Sequence, residues 1–244
     1  MGKMSQKQVL KNILFLDIET VACAAHYQAL SSPMQALWDK KAATIRKSEE
    51  EKASDLFFDK AAIYAEFGKV IVIGLGFITF DTNDTPTLRV KALSNHDEKT
   101  LLHAFADLVS QGFDSNALRL CAHNGKEFDF PYLCRRMTVL GIPLPPVLDT
   151  AGKKPWEVAH LDTMEMWKFG DRKSFTSLHL LATLFGITSS KTLMEGCEVN
   201  SHYYHQSALD EIANYCMHDV VVATQLFFKL NFWELLKPTQ IVFA

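Results

Sequence analysis

The stretch Ile13-Leu-Phe-Leu-Asp17-Ile-Glu19 is an apolar run that ends in two acids. Such a run is typical of a buried β-strand. Side chains two positions apart on a strand project from the same face of the sheet, so the carboxylates of Asp17 and Glu19 are predicted to point to one place. Open α/β sheets bind ligands at the ends of their strands. The stretch therefore predicts a central strand that carries two acids to a binding edge, with surface acids at a strand end as the alternative.

A second motif, His123-Asn124-Gly-Lys-Glu-Phe128-Asp129, lies between a predicted strand and a predicted helix. The Asn-Gly pair favours a turn, which places Asp129 near the start of the helix. Aspartate is also favoured at that position as a helix cap. Both roles for Asp129, a ligand in a site and a cap of its own helix, are open from the sequence.

A third motif, Tyr215-Cys-Met-His-Asp219, lies in the last long predicted helix. Positions i and i+4 share one helical face, so the phenol and the carboxylate are predicted to point together. Ile212 and Val220 indicate that this turn is partly buried, and a buried acid needs a partner or a metal. The alternative for Tyr215 is a tyrosine of the hydrophobic core.

The three motifs contribute four carboxylates, those of Asp17, Glu19, Asp129 and Asp219. Carboxylates gathered in one place repel one another, and hard divalent cations bound through oxygen are the usual remedy. Two such cations close together hydrolyse phosphodiesters. The motifs therefore indicate a nuclease. Asp162 and other nearby acids are interpreted as caps or surface charges, and the histidines and cysteines lack the spacing of a zinc site.

The composition is that of a folded protein with a mild negative charge. The chain has 244 residues, 48% of them hydrophobic, which argues against global disorder. The formal net charge of −3 argues against a protein that coats nucleic acid nonspecifically, because such proteins are basic. The polar start, and the lack of a run of about 18 apolar residues, predict a cytoplasmic protein that does not bind a membrane.

Hydrophobic periodicity predicts an antiparallel start followed by alternating strands and helices. Beyond the first strand, strands are predicted at Lys69–Phe80, Leu88–Leu93, Leu118–His123 and Ala159–Asp162, and helices at Asn95–Ser110, Phe130–Leu140, Ser174–Phe185 and Ala208–Leu230. Residues 22–66, called the insert below, are rich in Ala, Lys and Glu and are predicted to form one or two helices. The chain, residues 1–244, is therefore predicted to be one α/β domain with a mixed central sheet, flanking helices and a helical insert.

The three motifs, in this order, resemble the DEDD superfamily of 3′–5′ exonucleases, which has the ribonuclease H-like fold. Asn124-x-x-x-Phe128-Asp129 and Tyr215-x-x-x-Asp219 look most like the proofreading exonuclease domain of family B DNA polymerases. Flanking segments look like the stand-alone bacterial proteins related to that domain, and the resemblance covers nearly the whole chain. A tyrosine four residues before the last aspartate is the mark of the DEDDy branch, whereas the other branch has a histidine five residues before it.

This resemblance implies a metal site and a substrate site. Two divalent cations, Mg²⁺ or Mn²⁺, would be held by the carboxylates of Asp17, Glu19, Asp129 and Asp219, with Asp17 bridging both. Glu19 and Asp219 would complete the position that activates the attacking water, and Asp129 the position at the leaving oxygen. Tyr215 would orient the water. The residues expected to contact the terminal nucleotides are Thr20, Asn124 and Phe128.

The resemblance leaves the substrate open. The leading hypothesis is metal-dependent hydrolysis of single-stranded DNA from its 3′ end. One alternative is an exoribonuclease that acts on RNA ends or short oligoribonucleotides, and another is a non-catalytic module that binds nucleic acid or a protein partner. The chain length leaves little room beyond the exonuclease, so a proofreading role would need a separate polymerase or repair partner. We expect the insert to form one wall of the substrate groove. The oligomeric state is not predicted.

Overall fold

Six strands form the central sheet in a computed structural model that describes residues 5–114, 117–171, 173–188, 194 and 196–244. The strands are β1 (Ile13–Ala22), β2 (Gly68–Phe80), β3 (Pro86–Ser94), β4 (Arg119–Ala122), β5 (Leu161–Asp162) and β6 (Ile241–Phe243). The α-helices of this part of the chain are α1 (Gln6–Leu10), α2 (Ser32–Ile45), α3 (Ala53–Lys60), α4 (Glu98–Gly112), α5 (Asp129–Val139), α6 (Thr163–Lys168), α7 (Leu178–Phe185), α8 (Val199–Gln206) and α9 (Leu209–Leu230).

The sheet is mixed, with the strand order β5-β4-β1-β2-β3-β6. β2 pairs antiparallel with both β1 and β3, which is the predicted antiparallel start. The pairs β1–β4, β4–β5 and β3–β6 are parallel, and parallel neighbours need long crossover connections that usually contain helices. This arrangement confirms the predicted α/β class.

The central strand β1 directs alternate side chains to the two faces of the sheet. Leu14 and Leu16 pack into one core with apolar residues of α4 and α5. Phe15 packs on the opposite side with residues of α9. Asp17 and Glu19 continue the row of Phe15, so both acids are carried on the face that α9 covers.

β1 is longer than the sequence predicts, because it extends past Glu19 to Ala22. Its parallel pairing with β4 stops at Phe15, whereas its antiparallel pairing with β2 continues and shifts register between Glu19 and Thr20. Asp17 therefore lies just beyond the carboxyl end of the parallel part of the sheet. The chain that leaves β4 brings the second motif to the same edge.

The insert forms two α-helices, α2 and α3, around a small apolar cluster of its own. Trp38 is fully buried in this cluster, and its indole N–H donates to the carbonyl of Ala53 at 2.7 Å. Five side chains from outside the insert donate to its main-chain carbonyls: Thr20 and Tyr132 to Ala62, Arg136 to Ala65, Asn200 to Phe58, and Tyr204 to Ala22. These hydrogen bonds fasten the insert beside the end of β1.

Four short elements, α1, α6, α8 and β6, lie outside the sequence predictions. They are too short or too polar to show a clear hydrophobic period. Tertiary contacts hold α8, for example, because the Asn200 side chain accepts a hydrogen bond from the backbone of Ala22 at 2.9 Å. α7 starts at Leu178 and not at the predicted Ser174, because Ser177 caps it. No helix in the described ranges is both long and apolar enough to cross a membrane.

Candidate active site

Asp17 and Glu19 lie close to α9. Glu19 is only 8% exposed and Asp17 is half-buried. One carboxylate oxygen of each, together with the Sγ of Cys216 on α9, lies within 4.8 Å of the others. Oxygen atoms this close can share a bound cation. The geometry therefore joins the first motif to the helix that carries the third.

The loop 123–128 carries the second motif away from β4 through a tight turn. Asn124 has a left-handed backbone with φ of 65°, and its carbonyl accepts from the N–H of Phe128 at 3.0 Å. A Cβ at Gly125 would lie 2.4 Å from the Cβ of Ala122. The Asn-Gly pair suits this turn because asparagine tolerates positive φ and glycine leaves the necessary space.

Asp162, at the end of β5, holds this loop in place. Its carboxylate accepts from the backbone N–H groups of Asn124 at 2.9 Å and Lys126 at 3.0 Å. It also caps α6 by accepting from Met164 at 2.9 Å. The interpretation of Asp162 as a cap is confirmed, and its second set of bonds positions the loop of the second motif.

Asp129 is the first residue of α5 and is buried, with 4% exposure. The N-cap of α5 is Phe128, which makes no side-chain capping bond, so the interpretation of Asp129 as a cap is wrong. The Asp129 carboxylate instead accepts a 3.1 Å hydrogen bond from the N–H of Ile18, which lies between the two acids of the first motif. The first and second motifs are therefore in direct contact.

The third motif lies on the part of α9 that packs over β1 and β2. Tyr215 is 6% exposed and lies one helical turn before Asp219 on the same face of α9. Burial, followed by the charges of Asp219 and Glu19, raises the pKa of the Tyr215 phenol. The phenol therefore stays protonated, and Tyr215 packs in an apolar cluster within range of the charges of the carboxylates.

The carboxylates raise one another's pKa. Burial, followed by the charges of Asp219, Glu19 and Asp129, raises the pKa of Asp17 well above its ordinary range. Burial and the charges of Asp219 and Asp129 have the same effect on the pKa of Glu19. Burial also raises the pKa of Asp129 to about 7. The structure thus brings the four predicted acids into one mutually repelling group, called the carboxylate cluster below.

A divalent cation fits the carboxylate cluster. In the described part of the chain, no lysine or arginine forms an ion pair with Asp17, Glu19 or Asp129. Buried carboxylates without a countercharge are unfavourable, and hard divalent cations prefer carboxylate oxygens as ligands. The donor set therefore agrees with the predicted divalent-metal site and does not distinguish Mg²⁺ from Mn²⁺.

The three residues predicted to contact nucleotides lie on β1 beside Glu19 or in the loop 123–128 that leads to Asp129. Thr20 follows Glu19 and donates to the carbonyl of Ala62 in the insert at 2.9 Å. The half-buried ring of Phe128 packs near Tyr132, with ring centroids 5.3 Å apart. Asn124 forms the turn described above. Their contacts with a substrate stay a prediction.

Two further residues at this edge, Cys216 and His123, make contacts that the sequence motifs do not predict. Cys216 contacts Asp17 through its thiol. His123 has its Nδ1 2.9 Å from the hydroxyl of Thr163 and its Nε2 2.9 Å from the carbonyl of Thr176. Burial lowers the pKa of His123 and keeps the ring neutral. A carbonyl only accepts, so Nε2 of the neutral ring carries the proton and Nδ1 accepts from the threonine. These contacts join segments far apart in the chain, which a single motif cannot indicate.

Comparison with known proteins gives a family and a similar fold. Residues 63–235 match a family described as a predicted 3′–5′ exonuclease related to the exonuclease domain of PolB. The family B DNA polymerase from the hyperthermophilic archaeon Pyrobaculum calidifontis is similar in structure, with a TM-score of 0.55 and 15% identity over 90% of this chain and 24% of the polymerase chain. The RNase domain of the yeast Pop2 protein matches with a TM-score of 0.38 and 13% identity over 97% of this chain and 83% of that chain. Curated proteins gave no match.

The likeness to the polymerase concerns the fold, over a segment that is 24% of that chain. It confirms the predicted ribonuclease H-like arrangement of a mixed sheet with flanking helices. The family match covers more than half of this chain and includes Asp129, Tyr215 and Asp219, whereas the first motif precedes it. The protein therefore belongs to the family of predicted 3′–5′ exonucleases related to the exonuclease domain of PolB, and it is a hydrolase.

Proposed function

We propose that this exonuclease removes nucleotides from the 3′ end of single-stranded DNA with the help of two divalent cations, Mg²⁺ or Mn²⁺. The observation that carries the proposal is the joint position of four carboxylates from three distant motifs at one edge of the sheet. The relation of the family to the PolB exonuclease domain favours DNA as the substrate.

The carboxylate cluster binds the cations in this proposal. When bound, such cations lower the pKa of a water molecule and stabilise the charge on the departing 3′ oxygen. Asp17, whose carboxylate interacts with all three other acids, would contribute to both metal positions. Glu19 and Asp219 bind at the position of the attacking water, and Asp129 binds at that of the leaving oxygen.

Tyr215 orients the attacking water. Its hydroxyl stays protonated, because burial and the charges of Asp219 and Glu19 raise its pKa. A protonated phenol has one O–H donor and lone pairs that accept a hydrogen bond from water. Tyr215 therefore fixes the direction of the water without taking its proton.

The terminal nucleotides contact Thr20, Asn124 and Phe128, and the insert forms one wall of the substrate groove. The hydrogen bond from Thr20 to the insert supports this placement, because it joins the insert to the strand of the first motif. Deletion of the insert should weaken strand binding more than metal binding, and equal loss of both would contradict the placement. A separate polymerase or repair partner and a cytoplasmic location stay predictions.

A time course with 5′-labelled strands tests the proposal. Wild-type protein and the Asp17→Ala variant are incubated with matched DNA and RNA strands in Mg²⁺, Mn²⁺ or EDTA, and circular dichroism confirms that the variant is folded. We expect DNA products that shorten progressively from the 3′ end, only with a cation and only with the wild type.

Each other outcome excludes part of the proposal. Full metal-dependent cleavage by Asp17→Ala would exclude the carboxylate cluster as the active site. Preferential shortening of RNA would show that the enzyme is an exoribonuclease and would exclude DNA as its main substrate. Failure to cleave either strand, together with no heat of divalent-cation binding in calorimetry, would indicate a binding module.

A further inference from the structure

The thiol of Cys216 lies between α9 and the strand of the first motif. Cys216 is fully buried and follows Tyr215 on α9. Its Sγ is 3.3 Å from Oδ2 of Asp17 and 3.4 Å from the main-chain carbonyl oxygen of Asp17. The S–H group carries one proton, and its shorter contact is with the carboxylate oxygen Oδ2.

The neighbouring strand β2 provides the space for this contact. Gly74 is paired with Asp17 in the β1–β2 register. A Cβ at Gly74 would lie 2.9 Å from the Sγ of Cys216 and 3.1 Å from the Cys216 carbonyl oxygen. Contacts this close require the neighbouring atoms to move, because protein interiors are tightly packed. Glycine at position 74 therefore allows the thiol to lie over β2 and reach Asp17.

We propose that Cys216, lying over Gly74, is a positioning residue for the Asp17 carboxylate. The inference rests on the proposed function, in which Asp17 is a metal ligand. Three neighbouring acids repel the Asp17 carboxylate, so a donor on Oδ2 holds it in one orientation before a cation binds. Hydrogen bonds to metal ligands of this kind tune metal affinity.

A thiol suits this position because it is a neutral donor. A lysine or arginine in its place would cancel the charge of Asp17 and compete with the cation. The S–H group is a weak donor that orients the carboxylate and adds no positive charge. The carboxylate cluster therefore keeps its full attraction for a divalent metal while one of its members is held in place.

Direct Mn²⁺ binding to the protein without substrate tests this role. Free Mn²⁺ is measured by electron paramagnetic resonance in wild type, Cys216→Ala and Cys216→Ser. Removing a hydrogen bond to a metal ligand typically lowers affinity by 10–100-fold, and we expect about tenfold for Cys216→Ala because a thiol is a weak donor. Cys216→Ser retains a donor and should recover most of the affinity.

Cys121→Ala is the matched control. Cys121 is equally buried and packs in an apolar cluster with Phe15 and Val220. Its truncation should lower the melting temperature by about as much as Cys216→Ala and leave Mn²⁺ affinity unchanged. Gly74→Ala should lower Mn²⁺ affinity as Cys216→Ala does, and the double variant should lose no more than the larger single effect, because both changes remove the same hydrogen bond.

The outcomes separate this inference from the proposed function. Wild-type protein that binds no Mn²⁺ would overturn both. If Cys216→Ala binds Mn²⁺ with the wild-type affinity, the positioning role is overturned and the proposed function is not. Equal losses of affinity in Cys216→Ala and Cys216→Ser would also overturn it, because the loss would then not follow the hydrogen bond.

Discussion

Two buried acidic regions of this molecule are stabilised in opposite ways. Glu98, on α4, accepts hydrogen bonds from Nε of Arg136 at 2.9 Å and from Nη2 at 2.7 Å. It also accepts from the backbone N–H of Val70 at 2.8 Å. Glu98 and Arg136 are 7% and 9% exposed, so this is a buried and fully paired ion pair. In the carboxylate cluster, Asp17, Glu19 and Asp129 are also removed from water, but none of the three forms an ion pair with a lysine or arginine among the described residues.

The difference indicates what each region is for. Glu98 is a structural carboxylate whose countercharge comes from the chain itself. Its hydrogen bonds to Val70 and Arg136 join α4 to β2 and α5. Asp17, Glu19 and Asp129 have no lysine or arginine paired with them among the described residues, and a bound cation would relieve their repulsion. Substitutions in the two regions should therefore have opposite effects on activity and stability.

The largest effect is expected for Asp17→Asn. Activity should fall by about a thousandfold or more, the scale seen when a main electrostatic stabiliser of a transition state is removed. The metal-free variant should melt at a higher temperature than metal-free wild type, because one repelling charge is gone. Strand cleavage and thermal unfolding in EDTA measure the two effects. A lower melting temperature in EDTA would contradict the repulsion.

Glu98→Gln should show the reverse pattern. Breaking a buried pair leaves the charge of Arg136 uncompensated, which costs about 3–5 kcal/mol of unfolding free energy. Urea unfolding measures this loss, and Mn²⁺ affinity of the folded variant should stay at the wild-type value. A variant of wild-type stability would show that the pair contributes little to the fold.

The pH dependence of the metal-free protein is the third test. The pKa of Asp129 is raised to about 7 by burial, whereas an unfolded aspartate ionises at about pH 4. Between these values the folded protein holds a proton that the unfolded chain has released. Its unfolding free energy should therefore fall as the pH rises from about 4 to about 7.

Asp17 and Glu19 should add to this fall, because their pKa values are raised in the same direction. Thermal unfolding across this pH range in EDTA measures the slope, and saturating Mn²⁺ should reduce it by stabilising the ionised carboxylates. Asp129→Asn should have a smaller slope in EDTA. Stability that is constant or rises with pH in metal-free wild type would contradict the raised pKa values.

The smallest effect is expected for a neutral neighbour of the cluster. Phe128→Ala should raise the KM for single-stranded DNA by about tenfold, the loss expected when one base loses an aromatic stacking partner. Mn²⁺ affinity should not change, because the ring carries no charge. Phe232→Ala is the control, since Phe232 is 97% exposed and lies beyond the end of α9. Equal changes in KM for Phe128→Ala and Phe232→Ala would contradict the stacking of Phe128 on a base.

Much of the sheet could be predicted because each long strand has its own apolar signal. The run before Asp17 indicates β1, and the pattern of i and i+2 places Asp17 and Glu19 on one face. The helical spacing of Tyr215 and Asp219 likewise places both on one turn of α9. These are local relations, so one segment of sequence is sufficient to infer them.

The remaining features of the site are contacts between segments far apart in the chain. The bond between Asp129 and Ile18 joins positions 111 residues apart, and that between Asp162 and Asn124 joins positions 38 apart. The contact of Cys216 with Asp17 depends on a glycine in a third segment. Such relations follow from the packed structure and leave no periodic pattern in the sequence.

The way the insert is fastened has a consequence for how relatives of this protein can diverge. The five side-chain hydrogen bonds from Thr20, Tyr132, Arg136, Asn200 and Tyr204 all end on main-chain carbonyls of the insert. A main-chain carbonyl is present whichever residue occupies the position. Outside its apolar cluster, the insert can therefore exchange its side chains during evolution and remain attached while the five donors are retained.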